Sequence, residues 1–214
     1  MDKNFIITIL TDKSSWMNEY NLLLKEKLCS LGHSVNIINS KENIVKGNIA
    51  FFLSCFEIVP QKYLDLNENN IVVHASDLPN GKGWSPTTWQ ILENKKRIPL
   101  TLFEATTSVD AGDIYIKDEL ILNGYELINE WQRKLALKIV DMCLKYVINY
   151  HNIVGIKQIG NESFYRKRTP DDSELDINKT IKEQFNLLRV VDNDKYPAFF
   201  EIDSKRYYIK IFEG

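Results

Sequence analysis

The chain has 214 residues, of which 44% are hydrophobic and 26% charged, with 9 glycines and 6 prolines. These proportions exclude collagen-like and disordered chains, and the length fits one large domain, or one with a small appendage, rather than two full-size enzyme domains. A net charge of −2 excludes a strong overall field toward nucleic acid or an anionic membrane. The first apolar run, of about seven residues, is too short for a secretory core or a bilayer span, so a soluble cytoplasmic protein is expected.

Phe5-Ile6-Ile7-Thr8-Ile9-Leu10 predicts a strand, and residues 14–31 follow with Trp16, Tyr20, Leu23, Leu24, Leu28 and Leu31 at helical spacing. Gly32 is placed to end that helix in a left-handed conformation, and residues 35–38 begin a second strand. The apolar runs 49–53 and 71–74 are short enough to be buried strands. Four strands joined by helical or looping crossovers predict a Rossmann-like, mostly parallel α/β sheet with helices on both faces. The turn after the first strand, Thr11-Asp12-Lys13-Ser14-Ser15, has no glycine, which argues against a dinucleotide site of the G-x-G-x-x-G kind there.

Residues 85–95 predict a short helix with Pro86 in its first turn. Two more strands are expected at 100–103 and 114–116. The longest helix is expected at 125–150, with Leu127, Trp131, Leu135, Ile139, Met142, Tyr146 and Val147 on one stripe. Residues 160–176 read as a polar linker, 177–191 as a helix and 199–212 as a hairpin around Asp203-Ser204. The expected organisation is a core of residues 1–160 followed by a C-terminal helix-and-hairpin appendage of residues 161–214. Tyr207 and Tyr208 alternate on the last strand, so one is expected against the sheet, leaving the other for a subunit contact in a homodimer. Cys29, Cys55 and Cys143, with no C-x-x-C pair among them, are expected as reduced core thiols.

Chemistry concentrates in His74-Ala75-Ser76-Asp77-Leu78-Pro79-Asn80-Gly81-Lys82-Gly83-Trp84-Ser85-Pro86, with Trp89 just beyond. A histidine at the carboxyl end of an apolar parallel strand opens into the crevice where such sheets place ligands, and its ring exchanges protons near neutral pH. Leu78-Pro79 can adopt a cis bond, and Gly81 and Gly83 allow a tight loop. A second piece, Ser108-Val109-Asp110-Ala111-Gly112-Asp113-Ile114, is a turn between strands from which Asp110 can orient an imidazole or accept a proton from an amine.

Each piece has an ordinary alternative: a satisfied structural histidine, and a plain turn. Trp84 and Trp89 either pack or stack on a sugar or base. The Arg166-Lys167-Arg168 run is a diphosphate contact or a solvated face. Ser76 bonds a substrate or caps its own loop. His33 and His151 lie next to helix ends and read as surface or capping residues.

Together, H-x-S-x-L-P-x-x-K-G-x-x-P-x-x-W followed by D-A-G-D-I resembles the formyltransferase family that uses 10-formyltetrahydrofolate as donor, over residues 49–150. The resemblance implies a folate-dependent one-carbon transferase in which His74 and Asp110 are catalytic. It also implies that Phe56, Glu57, Ile58, Thr106, Val109 and Asp110 hold the pterin, largely through backbone, that Ser76, Lys82 and Trp84 meet the substrate, and that no metal takes part.

Residues 165–173 and 196–199 resemble the sugar N-formyltransferase branch, including that of pseudaminic acid biosynthesis. The implied acceptor is the amine of a nucleotide-linked amino sugar, such as a UDP-linked 4-amino-4,6-dideoxy sugar, with no nucleic-acid or membrane partner. Methionyl-tRNA formyltransferases of the same family carry a basic C-terminal barrel of roughly a hundred residues, for which this length leaves no room. Glycinamide ribonucleotide formyltransferases usually lack the Trp84-Ser85-Pro86 and Trp89 arrangement and form the alternative.

One position departs from the family pattern, which has asparagine where this chain has Val72. Residues 72 and 74 face the same side of a strand, so a donor toward a developing oxyanion, of a kind worth about 3 to 4 kcal/mol, is missing. Asn70 shares that side but lies about 13 Å further along the strand. A backbone N–H, a water or Ser54 is the expected substitute; otherwise the protein is a non-catalytic folate or nucleotide-sugar binder.

Overall fold

The computed structural model describes residues 4–214. Its elements are β1 (Ile6–Leu10), α1 (Asn18–Ser30), β2 (Ser34–Ile38), β3 (Gly47–Phe52), α2 (Gln61–Leu64), β4 (Asn67–His74), β5 (Lys82–Gly83), α3 (Pro86–Leu92) and β6 (Arg97–Glu104). They continue with β7 (Ile114–Ile121), α4 (Ile128–Ile148), β8 (Phe164–Tyr165), α5 (Phe185–Val190), β9 (Ala198–Ile202) and β10 (Lys205–Ile209). Six strands form one sheet in the order β2-β1-β3-β4-β6-β7. The first four are parallel, and β6 and β7 run antiparallel, with Phe52 beside Val72 and His74 beside Thr101.

The continuous apolar runs of β1, β3 and β4 are buried on both faces, as parallel strands require. Ile7, Ile9, Ile49, Phe51 and Ile71 alternate onto one face, where Leu24 and Leu28 of α1 and Leu135, Ile139, Met142 and Tyr146 of α4 cover them. Leu10, Ala50, Phe52 and Val72 take the opposite face, against Ile44, Val59 and Leu64. That second layer is thin, consisting of a 3-10 turn at Lys41–Asn43 and the single turn α2.

α1 begins later than its apolar spacing predicts. The Asn18 side-chain amide donates to the carbonyls of Asp12 and Lys13, at 3.3 and 3.0 Å, holding the preceding residues as turns. Gly32 ends the helix at φ +90°, the left-handed conformation glycine adopts without steric cost. β7 runs five residues beyond the predicted 114–116. Its outer half, Lys117-Asp118-Glu119, is charged and forms surface pairs such as Arg97 with Glu119, which hides it from a hydrophobicity pattern.

The C-terminal region differs most from expectation. Residues 160–176 are not a free linker, because β8 within them pairs in parallel with β5, Lys82 beside Phe164 and Gly83 beside Tyr165. Of residues 177–191 only Phe185–Val190 is helical. Before it, Glu183 accepts from the Thr180 N–H and hydroxyl, and the Gln184 amide donates to the Asp176 carbonyl; such side-chain bonds compete with a helical ladder. The hairpin turns at Asp203 and Ser204, with φ 50° and 64°, as a tight primed turn requires.

Tyr207 and Tyr208 are both exposed, against the expectation that one is buried. They stack on Phe200 and tilt against Phe199 of the neighbouring strand. Among the cysteines only Cys143 is a core thiol: Leu24 and Leu28 take the inner face of α1, Cys29 is exposed, and Cys55 is half-buried. No helix among the described residues is long and apolar enough to cross a membrane.

Candidate active site

β4 is the last of the parallel strands, and His74 is its final residue. The chain then turns through Ser76 and the cis Leu78-Pro79 bond into a loop that returns over the imidazole. His74 is 9% exposed, and its Nε2 lies 2.9 Å from the Gly81 carbonyl oxygen. A carbonyl only accepts, so this nitrogen carries a proton. Gly81 and Gly83 sit at φ +77° and +96°. A Cβ on Gly83 would lie 2.5 Å from the Tyr165 carbonyl oxygen, so the close approach of β8 admits only glycine there.

Asp110 arrives from the loop between β6 and β7 at φ 52°. Its Oδ2 accepts the Gly83 N–H at 3.0 Å and lies 3.9 Å from His74 Nε2, with both side chains about nine-tenths buried. Two anchors hold that loop. The Gln158 amide donates to the carbonyls of Asp110 and Gly112 at 3.0 and 2.9 Å. Gly112 packs on Glu104, whose carbonyl oxygen would lie 1.7 Å from any Cβ placed there. Gln158 gave no signal in the sequence, since a lone glutamine after a helix carries no motif.

Glu104, at the base of the loop, accepts from the Asn70 N–H, the Asn69 amide and the Tyr115 hydroxyl. Burial raises its carboxyl above the usual range despite those bonds. Tyr115 is in turn raised by burial and by the Glu104 charge.

Phe56, Glu57 and Ile58 lie on the loop after β3. Its Phe56 N–H donates to the Asp12 carboxylate at 3.3 Å, so the glycine-free turn after β1 braces this loop. Phe56 and Ile58 are exposed, while Glu57 turns to Lys41, taking its N–H at 3.0 Å and its ammonium at 3.2 Å. On the Asp110 loop Val109 is exposed, and the Thr106 hydroxyl donates to the Ser108 carbonyl at 2.9 Å. The N–H groups of Thr106, Thr107, Val109 and Ala111 have no main-chain partner among the described residues.

The expected substrate residues separate. Trp84 stands partly exposed beside Gly83, stacked on Phe56 with ring centres 5.3 Å apart. Lys82 is buried, and its ammonium is taken by Glu162 at 2.5 Å, so it is not open to a substrate. Ser76 is 1% exposed with an unpartnered hydroxyl, and its carbonyl accepts from Thr101; it neither caps its loop nor reaches solvent. Val72 lies on the His74 face, packed within the layer of Phe52 and Leu64. Asn70 is used elsewhere, its amide donating to the Leu64 carbonyl at 3.0 Å.

A parallel sheet that ends in a buried imidazole, with a carboxylate from a separate loop brought to the same nitrogen, makes a candidate acid–base pair. The comparisons place this geometry on a fold shared with formyltransferases. The sequence is 27% identical over 175 residues to the methionyl-tRNA formyltransferase of Mycoplasma capricolum, covering 79% of this chain and 55% of that protein. The chain thus spans about half the length of the curated relatives it matches.

Among solved structures, methionyl-tRNA formyltransferase from Clostridium thermocellum superposes with a TM-score of 0.81 at 20% identity, over 96% of this chain and 92% of that one. A 4-N formyltransferase from Francisella tularensis gives 0.72 at 19% identity, over 97% of each chain. HypX from Aquifex aeolicus, in complex with tetrahydrofolic acid, gives 0.82 at 14% identity, over 98% of this chain and 38% of its own. No family model matches the sequence. The chain is formyltransferase-like in sequence and has the formyltransferase fold.

Proposed function

We propose that the protein is a cytoplasmic N-formyltransferase that moves a formyl group from 10-formyltetrahydrofolate to the amine of a nucleotide-linked amino sugar, with residues 1–160 as its catalytic core. The observation that carries this reading is the 3.9 Å approach of Asp110 Oδ2 to His74 Nε2 at the carboxyl end of the parallel strands. The two flanking loops fit a flat heterocycle with polar edges. Free N–H groups at Thr106, Thr107, Val109 and Ala111 supply donors, and exposed Phe56, Ile58 and Val109 supply apolar surface. These residues would hold the folate, which when bound supplies an activated formyl group.

The His74 Nε2 proton is held by the Gly81 carbonyl, and on exchanging that acceptor for the oxygen on which negative charge develops it would fill the role of a positioned donor in acyl transfer. Asp110, acceptor-only when ionised, would take the proton that the attacking amine must lose, and that proton would pass to the donor nitrogen as its bond to the formyl carbon breaks, so that the donor leaves neutral. The Gly83 N–H and Gln158 keep that carboxylate and its loop in place. Val72 provides no donor on this face, so the main chain, a water or Ser54 supplies the remaining contact.

A sugar acceptor is supported by the likeness in fold to a sugar N-formyltransferase from Shewanella sp., over 96% of this chain and 97% of that one; the methionyl-tRNA formyltransferase from Clostridium thermocellum corresponds almost as fully, so methionyl-tRNA belongs among the acceptors assayed. The test is incubation with 10-formyltetrahydrofolate and a set of UDP- and TDP-linked amino sugars, read by mass spectrometry for a formamide product. Donor consumption with formate release and no amine would indicate a hydrolase instead. Folate binding without consumption would favour a non-catalytic binder, the reading that Val72 allows. Turnover of glycinamide ribonucleotide would move the acceptor to the alternative branch.

A further inference from the structure

Two Asn-Gly pairs occur in the chain, Asn80-Gly81 and Asn123-Gly124, and both lie in loops. In such a pair the glycine nitrogen can reach the preceding side-chain amide, because no Cβ obstructs the approach. The two pairs differ in what holds them. At the first, one hydroxyl spans both reacting groups: Ser163 Oγ accepts the Gly81 N–H at 2.9 Å and donates to Asn80 Oδ1 at 2.6 Å. Asn80 is exposed, and its Nδ2 has no hydrogen-bond partner among the described residues. At the second, the Gly124 N–H goes to the Glu126 carboxylate at 3.0 Å and Asn123 Nδ2 is tied to the Tyr125 hydroxyl at 2.9 Å. No such hydroxyl bridges that pair.

We propose that Asn80 is a self-modification site, at which Ser163 relays the proton that lets the Asn80 amide cyclise onto Gly81 and become aspartate or isoaspartate. The Gly81 nitrogen bonds to Asn80 Cγ and gives its proton to Ser163 Oγ, while the Ser163 proton passes to Asn80 Oδ1; a hydroxyl is both acceptor and donor. The neutral adduct then breaks its bond to Nδ2, which leaves as ammonia with the new hydroxyl proton, and a cyclic imide remains. Water, the sole co-reactant, opens the imide at either carbonyl. The segment is held in place on both sides, since the Asn80 N–H donates to the Asp77 carbonyl and the Lys82 N–H to the Ser163 carbonyl, each at 2.9 Å. Such positioning lowers a barrier, and the donor on Oδ1 meets the charge that develops there.

The modification adjoins the His74–Asp110 pair and does not depend on formyl transfer. The Gly81 carbonyl accepts from His74 Nε2 at 2.9 Å, and a Cβ on Gly81 would lie 2.9 Å from Ser76 Cβ and 3.1 Å from the Tyr165 ring. The loop therefore has no slack. An isoaspartate inserts one more carbon into the main chain just before Gly81, which moves the Gly81 carbonyl off the imidazole.

The full chain, aged in mildly alkaline buffer, would be read by peptide mass mapping for amide-to-acid conversion, with isoaspartate scored by enzymatic methylation of its carboxyl. Asn80 should convert about tenfold faster than Asn123, and Ser163→Ala should slow Asn80 by about tenfold, the scale of one positioned hydrogen bond in a barrier. Ser163→Thr, which keeps the hydroxyl, should restore the rate. Asn80→Gln, with its longer side chain, should abolish conversion at residue 80 and leave Asn123 unchanged. The His74 ring resonances should move in proportion to the isoaspartate formed. Conversion no faster at Asn80 than at Asn123, or an unchanged or higher rate in Ser163→Ala, would overturn the proposal. Resonances that stay in place would remove its link to His74.

Discussion

The main-chain N–H of Gly83 donates to the Asp110 carboxylate at 3.0 Å, which locks the glycine loop that covers His74 to the loop that carries its acidic neighbour. One oxygen of Asp110 thus serves both the backbone and the imidazole side. The position of the pair is set by main-chain geometry more than by its own contact.

His74→Asn and Asp110→Asn should each lower formyl transfer by roughly 10²- to 10⁴-fold, the usual scale for a positioned acid or base. Unfolding temperatures should change little, because an asparagine at 110 still accepts the Gly83 N–H. Near-normal turnover in both variants would remove the assignment.

Val72→Asn places an amide on the strand face that His74 shares. Turnover should rise by about tenfold or more if that face lacks an oxyanion donor, on the scale such donors contribute. An unchanged rate, measured under saturating donor, would mean that another group already fills the role.

Arg189 and Glu126 join the C-terminal segment to the start of α4, at 2% and 1% side-chain exposure and 3.3 Å apart. Glu126→Ala would leave the guanidinium buried and unpaired, and should cost about 3 to 5 kcal/mol of stability at neutral pH. Burial pushes Glu126 up, but the N–H groups of Asn123 and Gly124 and the Lys134 ammonium outweigh it, bringing the carboxyl from 4.5 down to about 2. A depressed carboxyl stabilises the fold fully above its unfolded value and loses that contribution as pH falls through the folded one. The unfolding midpoint should therefore drop between pH 4.5 and about 2, and less steeply in Glu126→Gln.

The three thiols should react in order of exposure and thiolate content. Cys29 is exposed and Cys143 buried, while burial raises Cys55 to about 11. Iodoacetamide at about pH 8 should label Cys29 first, Cys55 slowly and Cys143 only on unfolding, as peptide mapping would read out. Fast labelling of Cys55 would show that its loop opens.

The amino-acid sequence by itself determined the four parallel strands of the sheet, the helices α1, α3 and α4, the closing hairpin, and the strand end and turn that carry His74 and Asp110. These follow from apolar periodicity, a strand-end histidine and glycine-bearing turns, which are local signals. It did not determine the outer half of β7, whose charged residues pair on the surface, nor the docking of β8 on β5, a two-residue ladder inside a polar stretch.

Only the tertiary structure decided which polar side chains face outward. Lys82 stands between the two glycines and Ser76 a few residues before them, yet both are buried, whereas Lys167, about eighty residues away, reaches Trp84. Proximity in the chain sets backbone conformation. Access to a site is set by which long-range partner each side chain finds, as Glu162 does for Lys82.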